Sequence, residues 1–137
     1  MASAGWDLQK AVYAALAADG ALIAALGGAA AIHDAAPQQA SFPYVLIGET
    51  QARDWSTGTE AGAEHMLTLH VWSRHAGKRE AYAIADAVRA ALDGAMLSLE
   101  GHRLVNLRHE YSELKPDPDG ETQHGVLRFR AVTEPLG

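Results

Sequence analysis

The hydrophobic period changes twice along this chain, and that change restricts its fold more than any other feature. Over residues 65–73 the pattern alternates: His65, Leu67, Leu69 and Val71 point one way, and Met66, Thr68, His70 and Trp72 the other. Over residues 79–93 the period lengthens. Ala81, Ile84, Ala85, Val88 and Leu92 form a helical stripe that Glu80, Asp86, Arg89 and Asp93 largely avoid, and Asp93-Gly94 stops it. Alternation then returns over 103–111, with Val105 and Leu107 read against Leu104, Asn106 and Arg108. It returns again over 125–133, with Leu127, Phe129 and Ala131 read against Arg128, Arg130 and Val132. Tyr44-Val45-Leu46-Ile47-Gly48 adds a β-type run before residue 65.

The first third reads as helical. Leu8, Val12, Ala15 and Leu16 share a stripe that Ser3 or Asp7 would cap. Asp19-Gly20 interrupts it, and residues 21–26 form a second short piece ending at Gly27-Gly28. Residues 32–39 read as a linker, and 75–78 as a turn. The expected order is therefore α-(α)-β-β-α-β-β. This is an α+β fold with a four-stranded, mostly antiparallel sheet packed against helices, and residues 1–137 form one domain. A composition of 48% hydrophobic and 20% charged residues supports one ordinary core rather than disorder. No apolar run reaches the roughly 18 residues of a membrane span, and the N-terminus lacks the pattern of a secretory leader, so synthesis in the cytoplasm is expected.

Chemistry finds little purchase in these residues. The chain has no cysteine, which removes disulfides, thiolate metal sites and cysteine nucleophiles together. His65, His70 and His75 recur at steps of five, but an extended strand sends His65 and His70 to opposite faces. Zinc needs three or four ligands converging at about 2 Å, so scattered surface histidines are the better reading. Asp117-Pro118-Asp119-Gly120 resembles part of a calcium loop, yet Lys115 and Val126 stand where two ligands belong. No serine sits in a G-x-S-x-G elbow, and no glycine-rich phosphate loop is present. A structural protein without catalytic residues, cofactor or metal is expected.

Two long polar segments remain. Residues 53–63, carrying Arg53, Asp54, Trp55, Thr57 and Glu60, read as a long, mobile connection between strands. Residues 115–121, carrying Lys115, Asp117, Asp119 and Glu121, read as a hairpin tip set by two prolines and Gly120. Both are candidate partner-contact surfaces. A tryptophan on a loop is a frequent contact anchor, and the competing reading of Trp55 is that it folds back on its own domain. Trp72, at a strand end, is read as packing. A net charge of −6 argues against a protein that grips nucleic acid, but an acidic lining suits a conduit through which DNA slides.

Several stretches together resemble a known family. These are Leu8-Gln9-Lys10-Ala11-Val12-Tyr13-Ala14-Ala15-Leu16, His33-Asp34-Ala35-Ala36-Pro37-Gln38, Phe42-Pro43-Tyr44-Val45-Leu46-Ile47-Gly48, Asp54-Trp55-Ser56-Thr57, His70-Val71-Trp72-Ser73-Arg74 and Gly125-Val126-Leu127-Arg128-Phe129-Arg130-Ala131. In order and spacing they resemble the tail completion, or tail terminator, family of long-tailed phages and gene transfer agents. The helix at 77–92 and the stretch 99–107 continue the match. The resemblance implies a virion structural protein at the neck of the particle, assembled in the host cytoplasm. It implies a homohexameric ring that caps the tail tube, ends its polymerisation, and joins it to a head-side stopper or connector. DNA would pass without sequence-specific binding, and no membrane is involved. Competing readings are another head–tail connector, a tail tube protein and, furthest off, a small metal-dependent hydrolase.

Overall fold

The computed structural model describes residues 3–39, 41–75 and 77–136. Helix α1 (Ala4–Ala17) starts where the Ser3 side chain accepts from the Trp6 amide at 3.1 Å. Leu8, Val12 and Leu16 are fully buried along its stripe. Asp7, the other candidate cap, lies inside the helix and does different work, described below. Helix α2 (Gly20–Ala25) is capped by Asp19, whose carboxylate accepts from the Leu22 amide at 2.9 Å. Gly27 and Gly28 then turn the chain with φ of +90° and +104°, a region closed to most side chains.

The strands are β1 (Ile32–His33), β2 (Tyr44–Asp54), β3 (Ala63–Ser73), β4 (His102–Pro116) and β5 (Gln123–Pro135), with helix α3 (Arg79–Leu92) between β3 and β4. They form one mixed sheet in the order β1-β2-β3-β5-β4. The expectation of four strands is thus corrected to five, and the order to α-α-β-β-β-α-β-β. The added strand pairs parallel to β2, with Ile32 opposite Val45 and His33 opposite Leu46. A two-residue strand carries no periodic signal, and its parallel partner lies across a crossover, so residues 32–33 read as linker. The 75–78 turn lies where expected, although Ala76 is outside the described residues.

Helices α1 and α3 pack on one face of the sheet, and α2 packs against α3. That face carries Val45, Ile47, Leu67, Leu69, Val71, Leu104, Leu107, Leu127, Phe129 and Ala131, joined to Ile84, Val88 and Leu92 of α3 in one core. The alternation in β3 and β5 is as the sequence suggests. In β4 it is not. Leu104 and Leu107 are both buried while Val105 is 41% exposed, because the register slips between Leu104 and Asn106. One extra residue in a strand reverses the facing of everything after it. His65 falls on the core face, fully buried, and contacts the Thr133 hydroxyl at 2.9 Å.

Asp7 ties the N-terminal helix to the sheet. Its buried carboxylate accepts from the amides of Glu100 at 3.2 Å and Gly101 at 2.7 Å and from His102 Nδ1 at 2.8 Å. The His102 bond, then the Gly101 bond, hold this carboxyl below its ordinary value of 3.8. A depressed carboxyl contributes stability that is fully present above its unfolded value and is lost as pH falls through the folded one. Asp7→Asn keeps the shape but turns an acceptor into a donor facing donors. A drop in Tm of about 5–10 °C is expected at neutral pH. In urea titrations the gap to the parent chain should stay flat above pH 4 and close as the pH falls further. A gap that widens in acid would contradict this role for Asp7.

Candidate interaction surface

Among the described residues, no helix covers the second face of the sheet. Across it lie Met66, Thr68, His70 and Trp72 of β3, with Arg128 and Arg130 of β5 beside them in register. Polar and aromatic groups at each end of this face form a defined cluster.

At the first end, the carboxylate of Glu64 is buried and binds two guanidinium groups, Arg53 Nε and Arg130 Nε, each at 2.5 Å. Both arginines also lie against the Trp55 indole, at 5.3 Å and 5.0 Å from its ring centre. The two charge-assisted bonds, Arg130 first, hold the Glu64 carboxyl below its usual range. Trp55 therefore does fold back on its own chain, yet it remains 46% exposed. Arg53 and Asp54 are strand residues rather than loop residues, so the connection is shorter than 53–63 and spans 55–62. It is also closed on itself by hydrogen bonds. The Trp55 amide donates to the Gly62 carbonyl at 2.9 Å and the Thr57 amide to the Glu60 carbonyl at 2.8 Å, while the Asp54 carboxylate takes the Ser56 hydroxyl at 2.5 Å. Polar composition indicated loop here, but an eleven-residue pair of strands pulls its ends into register.

At the opposite end, Lys115 belongs to β4, and the hairpin turn begins after Pro116. Asp117 donates its amide to the Thr122 carbonyl at 2.8 Å. The Asp119 carboxylate accepts from the amides of Glu121 and Thr122 and from the Thr122 hydroxyl, at 2.9, 2.8 and 2.6 Å. Its oxygens are committed to the turn, which accounts for the calcium-like pattern by turn chemistry alone. Those bonds, the Thr122 hydroxyl first, lower the Asp119 carboxyl. Glu121 pairs with Arg74 at 3.5 Å, and Arg74 also lies over the Phe42 ring at 4.1 Å.

Between the turn and the middle of the face stands a stack that sequence reasoning missed. Trp72 and His124 are parallel at 3.8 Å, so the packing role expected for Trp72 holds, on the open face. His124 Nε2 meets His70 Nδ1 at 2.8 Å, and His70 Nε2 meets Glu49 at 2.9 Å. A bulge between Ile47 and Thr50 positions Glu49 for this contact. Gly48 leaves the space for it, since a Cβ there would lie 2.7 Å from His70 Cδ2. No spacing of histidines in the sequence reveals this pair, because the two rings come from strands joined only by register.

Among the described residues, no three or more His, Asp or Glu side chains converge as a metal site requires, and no helix is long and apolar enough to cross a membrane. A groove of about 540 Å³ lies between α1 and the β1–β2 edge, lined by Trp6, Tyr13, Ile32 and His33, away from both nominated loops.

The fold is thus a one-sided α+β sheet with a tryptophan–arginine cluster at one end of its open face and a tryptophan–histidine stack toward the other, and its class follows from comparison with known proteins. The chain belongs to the family described as tail completion protein gp17, whose model matches residues 10–134. It is 30% identical over 89 residues to the tail completion protein gp17 of Bacillus phage SPP1, an alignment covering 65% of this chain and 66% of that protein. It also matches a chain in the virion of a native gene transfer agent particle, with 36% identity and a TM-score of 0.88, over 98% of this chain and 99% of that one.

Proposed function

We propose that this chain is a tail terminator, a structural and non-catalytic subunit acting as one domain over residues 1–137. Copies close into a hexameric ring on the finished tail tube, stop its growth, and join it to the head-side stopper or connector. The particle's neck is its place of work, and DNA passes through the ring without sequence-specific contact, in keeping with the net charge of −6.

One observation carries this reading. The two polar turns nominated for contact stand at opposite ends of the same sheet, since Ala63 pairs with Thr133 at one end and Ser73 with Gln123 at the other. Strands of eleven to thirteen residues separate them by about 40 Å. A subunit that must touch a tube below and a neck above needs contacts so divided. The sheet edges support ring closure. Among the described residues, β1 pairs with Val45 and Leu46 alone, which leaves the remainder of β2 without a strand on that side, and β4 is the other edge. β2 and β4 run in opposite directions, so a rotated neighbour offers an antiparallel partner.

The test is to add the purified chain to tail tubes and view them by electron microscopy. Sixfold caps at one tube end, with tubes no longer growing, are expected. Copies spread along the tube would make it a tube protein, and binding to heads without tubes a stopper. A chain that stays monomeric at high concentration and leaves tubes unaltered would end the proposal.

A further inference from the structure

The Glu49–His70–His124–Trp72 array has a protonation logic that its geometry dictates. Glu49 accepts from His70 Nε2, so a neutral His70 carries its proton there and offers Nδ1 as an acceptor. His124 must then donate from Nε2. Two ring protons satisfy every contact. A third is also accommodated if His70 donates from both nitrogens and His124 changes tautomer to accept. A fourth is not, because two N–H groups and two positive charges would then face each other across 2.8 Å.

Each ring has its own anchor when that contact breaks. His70 keeps the Glu49 carboxylate, and His124 keeps the Trp72 face, against which an imidazolium gains a cation–π attraction. The pair therefore opens without releasing either ring. The other charged groups nearby are Arg128 on β5, Glu113 and Lys115 on β4, and Asp117 in the turn. Tyr44 of β2, opposite Trp72 in register, is raised by burial and stays neutral throughout this range. Burial, then the charge of His70, lowers His124.

We propose that His70 and His124 form a two-step proton switch on the open sheet face, closed while the pair holds two or three ring protons and opened by the fourth. Passing from two ring protons to four adds two positive charges to a patch in which three carboxylates, Glu49, Glu113 and Asp117, face two cations, Lys115 and Arg128, so its sign reverses, the last charge arriving with opening. The switch lies at the hairpin end. The Glu64 cluster at the other end, built on arginines, has no equivalent near neutrality. This is a property of the single chain and holds whether or not a ring forms.

The experiment is a histidine ¹⁵N NMR titration of the intact chain, with Trp72 fluorescence followed in Trp6→Phe/Trp55→Phe. At neutral pH both rings should be Nε2–H tautomers. On acidification the pair should titrate in two steps separated by at least about tenfold in proton affinity, with the Trp72 signal changing at the second. In His124→Gln, His70 should titrate in one step. Independent, overlapping single-step curves that are unchanged in His124→Gln would overturn the switch, as would an Nδ1–H tautomer for His70 at neutral pH. Should His124→Gln not fold, the parent chain's tautomers and step separation decide the matter alone.

Discussion

Phe129→Ala is expected to remove about 3–5 kcal/mol of stability, enough to leave little folded protein at 37 °C. Phe129 is fully buried near the middle of β5, paired with Leu67 of β3 on one side and with His109 of β4 on the other. The His109 and Phe129 rings lie T-shaped, their centres 5.4 Å apart. Sheet neighbours fix its backbone, so the surroundings are poorly able to collapse into the space that the ring leaves. Phe129→Leu retains most of the volume and is expected to cost less than half as much. Chemical denaturation checks both variants. A Phe129→Ala chain with an unchanged midpoint would mean that the core closes around the gap, which the paired strands make difficult.

The second large effect is on assembly rather than on folding. Trp55→Ala is expected to weaken binding to tail tubes by about 30-fold or more, the range in which a buried tryptophan anchor falls. Its effect on Tm should be small, because the indole is 46% exposed and the turn 55–62 closes through backbone bonds and the Asp54 carboxylate. Glu64 makes this anchor rigid. By holding Arg53 and Arg130 it fixes the two cations against the indole before any partner arrives, so less side-chain freedom is lost on docking. Co-sedimentation with tubes, together with thermal melts of the same samples, separates the two readouts. Normal co-sedimentation of Trp55→Ala would remove this end of the sheet from the tube contact and leave the hairpin end to be tested there next.

The contrast between Trp55 and His70 shows where sequence reading stops. Trp55 was legible as a contact candidate because a large aromatic in a polar, turn-rich segment is anomalous within its own neighbourhood. The sequence offers no partner for His70, because an extended strand sends His65, five residues before it, to the opposite face. The pairing with His124 depends on the register of β3 with β5, a relation across some fifty residues that no local window contains. Asp7 is similar. As an acid in the first helical turn it reads as a cap, while its partners, Gly101 and His102, arrive from the start of β4.

What this sequence determined by itself was the kind of structure. The shift from a period of two to a helical period and back is a local property, since burial of one face of a strand or helix acts residue by residue. That shift yielded α3, the facing of β3 and β5, and the α+β class. Turn chemistry at Gly27-Gly28, Gly94 and Gly120 is equally local. Only the tertiary structure decided the fifth strand, the bulges and the clustering of polar and aromatic groups on the open face. β1 is too short to signal and exists because β2 passes beside it. The slip at Val105 reverses an alternation that the residues alone cannot reveal as broken. The two ends of the open face gather Arg53 with Arg130 and His70 with His124 through hydrogen-bond register, which depends on the whole sheet at once.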